Sequence, residues 1–191
     1  MSQDFYMGNP NLKKVGTEIE FTQEQVKEYL KCKDDPVYFA RNYIKIISLD
    51  EGIVPFKMWD FQEELIESFH ENRFNIAKLP RQTGKSTTCV SYLLHYILFN
   101  DNVNVGILAN KLSTARDLLG RLQLAYEQLP MWLQQGIVVY NKGSMELENG
   151  SKILAASTSA SAVRGMSFNI IFLDEFAFIP NHIAEQFFSS V

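Results

Sequence analysis

Cysteine is scarce in this chain: 191 residues hold only two, Cys32 and Cys89. They make neither a disulfide framework nor a metal-ligand spacing, which fits a reducing compartment. Long hydrophobic runs are missing as well. The greasiest stretch, Cys89 to Phe99, is broken by Ser91 and His95 and falls short of the roughly 18 residues a membrane span needs. The opening MSQDFYMGN has no charged segment followed by an apolar core, so it does not read as a secretion signal. There is no basic surplus either. With 18 Lys and Arg against 22 Asp and Glu, the net charge is −4, and overall charge gives no attraction to nucleic acid. These absences predict a soluble, cytoplasmic protein that is not secreted.

What is present is ordinary globular composition, 46% hydrophobic and 21% charged, sufficient for one domain or one domain with a small appendage. The charge is uneven. Residues 1–73 carry nine basic and fourteen acidic side chains, whereas residues 74–191 carry nine and eight. A polyanion would more readily meet the second part. The closing HIAEQFFSSV stops in apolar, helix-like sequence without a breaker, as expected of a piece of something longer.

Along the chain, residues 1–20 lack periodicity and are expected to form an extended or mobile arm. Thr22 followed by Gln25 is a capping-box pair, predicting a helix to about Cys32 that Asp34-Asp35-Pro36 ends. A second helix is expected over residues 37–44 and a hairpin or loop over 46–57. Trp59 to Arg73 reads as a helix with Phe61, Leu65, Ile66 and Phe69 on one face. From Phe74 onward, strands and helices alternate. Predicted strands are Phe74–Leu79, Val103–Ala109, Ile137–Tyr140, Ser144–Leu147, Ile153–Ala156 and a buried Asn169–Asp174. Predicted helices are Thr87–Asn100 and Ser113–Gln128, and Asn149-Gly150 makes a turn. This grain predicts a mainly parallel α/β sheet flanked by helices, divided as an arm and small helical subdomain over 1–57 and a larger domain over 58–191.

Two motifs carry chemistry. LPRQTGKSTT (79–88) has the Gly-Lys-Ser end of a phosphate-binding loop, but Leu79 stands where the pattern's first glycine belongs. A phosphate cradle needs an aiming strand, a tight turn presenting N–H groups and a helix N-terminus. Phe74–Leu79, Gly84 and the helix from Thr87 fill those places, with Gln82, Thr83 and Thr87 completing the loop. Lys85 would bridge β- and γ-phosphates, Ser86 would sit on Mg²⁺, and Arg81 adds positive charge. The alternative is a chance Gly-Lys-Ser in a strand–turn–helix unit. The second motif is Asn169-Ile170-Ile171-Phe172-Leu173-Asp174-Glu175, a Walker B pattern. Asp174 would hold the metal shell, and Glu175 would orient and deprotonate water. Its alternative is an Asp-Glu pair capping a helix. Adjacent acids favour a motor-type ATPase over a signalling GTPase, whose Asn-Lys-x-Asp is absent. Gln62 either matches an adenine edge, with Phe61 adding a ring face, or bonds to backbone. Arg164, just before the Walker B strand, either senses a γ-phosphate or is a surface arginine by a turn glycine.

The order Trp59-x-x-Gln62, Asn-Arg-Phe-Asn-Ile (72–76), Arg-Gln-Thr-Gly-Lys-Ser (81–86), Asn-Lys-Gly-Ser-Met-Glu-Leu (141–147), Ala-Val-Arg-Gly (162–165) and Leu-Asp-Glu-Phe-Ala-Phe-Ile-Pro (173–180) resembles the large terminase subunit of tailed bacteriophages. The resemblance covers roughly residues 58–181. In that family the first loop glycine is often replaced, with an arginine inside the loop. The resemblance implies a P-loop (ASCE, RecA-like) ATPase that packs double-stranded DNA into a procapsid in the host cytoplasm, docked on the portal protein as a homo-oligomeric ring and working with the small terminase subunit. It implies ATP and Mg²⁺ as ligands and Gln62 as the adenine reader. Lys85 and Ser86 would hold phosphate and metal, and Arg81 would be a phosphate or transition-state arginine. Asp174 would be the Walker B acid, Glu175 the catalytic carboxylate and Arg164 an arginine finger. The family's coupling motif after Walker B and its nuclease domain have no counterpart in these residues. The rival expectations are a helicase or other DNA-remodelling ATPase, and an assembly module that binds nucleotide without turnover.

Overall fold

The computed structural model of the protein describes residues 5–48, 50–158 and 167–188. Local chemistry sets the first elements. Thr22 and Gln25 form the reciprocal cap of α1 (Gln23–Asp34), with side chain-to-N–H bonds of 3.2 and 3.0 Å. Asp35 ends α1 and caps α2 (Pro36–Tyr43), its carboxylate accepting from the Tyr38 N–H at 2.7 Å. Pro36 lies in the first turn, where its missing N–H loses no helical bond. The 46–57 region resolves into a separate antiparallel hairpin of β1 (Lys45–Ser48) and β2 (Gly52–Pro55).

The remaining elements run α3 (Asp60–Glu71), α4 (Lys85–Phe99), β3 (Asn104–Ala109), α5 (Leu112–Glu127), β4 (Ile137–Tyr140), β5 (Ser144–Leu147), β6 (Lys152–Ser157), β7 (Ile170–Asp174) and α6 (Asn181–Phe188). The main sheet has strand order β4-β5-β6-β3-β7. β3 is parallel to both β6 and β7, as expected for crossover connections. The β4-β5-β6 half is antiparallel instead. Its turn at Asn149-Gly150, with Gly150 at φ 79°, is too short for a parallel crossover. The sheet is therefore mixed.

Alternation along β3 divides the core. Val105, Ile107 and Ala109 enter the large apolar cluster with Leu94, Ile97, Leu119 and Leu122 of α4 and α5. Leu108 enters a smaller one with Phe187 of α6. β7 follows the same division, with Ile170 and Phe172 on the first side and Ile171 and Leu173 on the second. Gly106 leaves room for Phe168, whose ring would lie 3.2 Å from any added Cβ. Cys32 of α1 and Phe39 and Ala40 of α2 join the same large cluster.

Three expectations are corrected. Phe74–Leu79, expected as the strand aiming the loop, belongs to no strand of the described sheet, and Ile76 is fully exposed. β7 has a described partner on its β3 side only, and residues 74–79 do not pair with its open edge. For the same reason β7 is not the fully buried strand expected: its first four residues are only half-buried. The arm is not loose over its described part. Leu12 is buried, the Lys13 carbonyl accepts from the Ile137 N–H at 2.8 Å, and Lys13 pairs with Glu148 at 3.3 Å. No described helix is long and apolar enough to cross a membrane.

Candidate functional site: a glycine-opened helix beside an acidic strand end

The loop before α4 turns on two left-handed residues, Gln82 at φ 63° and Gly84 at φ 73°. Gly84 is the N-cap of α4, and the first helical bond runs from the Thr88 N–H to the Gly84 carbonyl at 3.0 Å. The N–H groups of Lys85, Ser86 and Thr87 precede that bond and lie at the positive end of the helix dipole. Such an end suits an anion, and a phosphate fits the donor set. Thr83 closes the turn from within, donating from Oγ1 to the Pro80 carbonyl at 3.0 Å. Lys85, Ser86 and Thr87 are half-buried, while Arg81 and Gln82 are exposed.

Gln62 meets this loop from α3. Its Nε2 donates to the Thr83 carbonyl at 2.9 Å, and its Oε1 accepts from the Trp59 N–H at 3.0 Å. The side chain is buried at 4% exposure. Gly84 is needed for this approach, because an added Cβ would lie 2.5 Å from Gln62 Nε2. Phe61 stays half-buried, with its ring 5.6 Å from that of the exposed Trp59.

Asp174 ends β7, in register with Ala109, the last residue of β3. It is buried, and burial lifts its carboxyl above the ordinary carboxylate range. The adjacent Glu175 charge raises it further, while Lys85 and Arg121 pull it down. Burial pushes the Cys89 thiol, one helical turn beyond Lys85, up to about 12. Asp174 adds to that rise and Lys85 opposes it. Lys85, Cys89 and Asp174 thus share one electrostatic neighbourhood, although 89 residues of sequence separate Lys85 from Asp174. Glu175 is exposed and left-handed at φ 52°. For a non-glycine residue that conformation is held only against local strain.

The charges of Lys85 and Asp174 thus act on one another, with Ser86 and Glu175 as their chain neighbours. Arg164 and its loop lie outside the described residues. The sequence reading missed Arg121. That residue sits on α5, which follows β3, the strand paired with β7. It is exposed, and its charge is one of those that pull the Asp174 carboxyl down.

The chain is thus an α/β protein with a glycine-opened helix N-terminus and an acid at a parallel strand's end. Residues 76–189 match the family described as terminase large subunit, T4likevirus-type, N-terminal, and the chain belongs to that family. Its fold is similar to that in the crystal structure of the HK97 bacteriophage large terminase. The TM-score is 0.63 at 16% identity, over 81% of this chain and 34% of that one. The chain therefore spans about a third of that protein's length.

Proposed function

We propose that this protein is the ATP-hydrolysing part of a motor that packages double-stranded DNA into a procapsid. Membership of the terminase large-subunit family supports a role in packaging. The observation that carries the chemistry is the glycine-opened N-terminus of α4, where Lys85 begins the helix, together with Asp174 at the end of β7, whose charge interacts with that of Lys85.

In this reading the N–H groups of Lys85, Ser86 and Thr87 receive the ATP phosphates, and Lys85 neutralises charge on the terminal one. Ser86 and Asp174 would hold Mg²⁺, which supplies charge neutralisation to the phosphates when bound. Burial makes the Asp174 carboxylate costly without a cation, and that suits a metal site. Glu175 takes a proton from water as its oxygen bonds to the γ-phosphorus. The bond to the β–γ bridging oxygen breaks, and ADP leaves. Arg81, exposed at the loop's rim, and Arg164 supply further positive charge during transfer. DNA, the portal protein, the small terminase subunit and neighbouring copies in a ring are the proposed partners of the whole motor, in the host cytoplasm.

The test is phosphate release from MgATP, compared with Glu175→Gln. Release by the wild-type chain that disappears in a variant still binding a fluorescent ATP analogue supports the reading. Binding without release in both makes the chain a nucleotide-binding assembly module instead.

A further inference from the structure

We infer that Gln62 is a positioning residue that holds the phosphate loop in its binding shape. The inference rests on the proposed nucleotide site, and it starts from what the loop lacks. Leu79 occupies the place of the first loop glycine, so the turn must be made by Gln82 and Gly84, both left-handed. Gln82 has a Cβ, and a non-glycine residue in that region is strained. A loop of this kind needs support from outside itself.

Among the described residues, the hydrogen bond that reaches residues 80–84 from beyond the loop and its own helix α4 is the one from Gln62 Nε2 to the Thr83 carbonyl. Its other end is tied down equally well. Gln62 Oε1 accepts from the Trp59 N–H, where α3 begins. The carboxamide therefore spans from the first turn of α3 to the loop, with one bond at each end and the Gly84 backbone against its nitrogen. The residue is 4% exposed, and each polar atom of its amide bonds a backbone group, so the carboxamide is held in place from both ends. Gly84 then serves the clamp as well as the turn, since any side chain there would displace Gln62.

The clamp and the base-reading roles part on a ligand without a base. Inorganic tripolyphosphate, ATP and GTP are titrated, each with Mg²⁺, against the wild-type chain, Gln62→Glu and Gln62→Met. Gln62→Glu keeps the acceptor for the Trp59 N–H but loses the donor to Thr83, and Gln62→Met loses both. The clamp predicts that each variant weakens all three ligands by a similar factor, on the order of tenfold, from one lost bond to the loop. Backbone amide exchange of residues 82–86 in the ligand-free variants should also speed up, while exchange in β3 stays unchanged. Weaker ATP binding with unchanged tripolyphosphate binding would overturn the clamp in favour of base reading. Unchanged loop exchange in both variants would overturn it without reference to any ligand. If the wild-type chain binds none of the three while loop exchange still speeds up, the nucleotide site fails and the clamp stands.

Discussion

Gln62 and Thr83, on separate elements, are joined by a 2.9 Å hydrogen bond from the Gln62 carboxamide to the Thr83 carbonyl. That bond couples α3 to the turn that opens α4, and Gly84 is the residue that lets the two approach. The loop's shape therefore depends on a contact between elements as much as on its own sequence.

Gly84→Ala should lower both stability and ligand affinity. The added Cβ would meet Gln62 Nε2 at 2.5 Å, in a left-handed conformation that alanine resists. The left-handed backbone alone costs roughly 1–2 kcal/mol. Gly120→Ala is the control, since Gly120 lies in the interior of α5 with nothing within 4 Å of an added Cβ. It should gain about 0.5–1 kcal/mol in urea unfolding.

Asp174→Asn should raise the melting temperature of the ligand-free chain and weaken its response to Mg²⁺. Burial and the Glu175 charge both hold the Asp174 carboxyl above its ordinary value, so its ionised form opposes folding at neutral pH. The penalty is present above the folded-state pKa and fades as pH falls below it, so the gain from the substitution should shrink in acid. A lower melting temperature in the variant at pH 7 would show that the carboxylate stabilises the apo fold.

Stability should fall as pH drops from about 6.5 to about 4 because of His95. Burial lowers its pKa from 6.5 to about 4, and its Nε2–H donates to the Cys32 carbonyl at 2.9 Å. In that window the unfolded chain takes up a proton that the native imidazole refuses. The stability is thus fully present above 6.5 and is lost toward 4, by roughly 3 kcal/mol. His95→Leu should flatten this part of the pH profile in denaturant titrations, while losing the bond to Cys32 and some stability at pH 7.

Much of the fold was legible because short-range chemistry fixed it. Thr22 and Gln25 cap a helix wherever they are placed, and Asn149-Gly150 turns a hairpin without help. The alternation of strands and helices located β3, and the Gly-Lys-Ser and Asp-Glu signals marked both halves of the proposed site. What escaped was set by neighbours in space. Phe74–Leu79 has the apolar pattern of a strand but pairs with no strand of the described sheet. The mixed sheet was readable only in the Asn149-Gly150 turn, which excludes a parallel pairing. The Arg121 charge acts on Asp174 across elements that only the strand order brings near one another. Gln62 had two possible partners in sequence, a base or the backbone, and in the structure it bonds the Thr83 carbonyl and the Trp59 N–H.

The central claim is that the α4 N-terminus and Asp174 form one nucleotide site, and calorimetric titration of MgATP tests it most directly. Wild-type chain should bind MgATP with one site per chain. Lys85→Ala should lose most of that affinity while keeping its folded circular dichroism spectrum. Absence of heat with the wild-type chain, or equal affinity in folded Lys85→Ala, would contradict it.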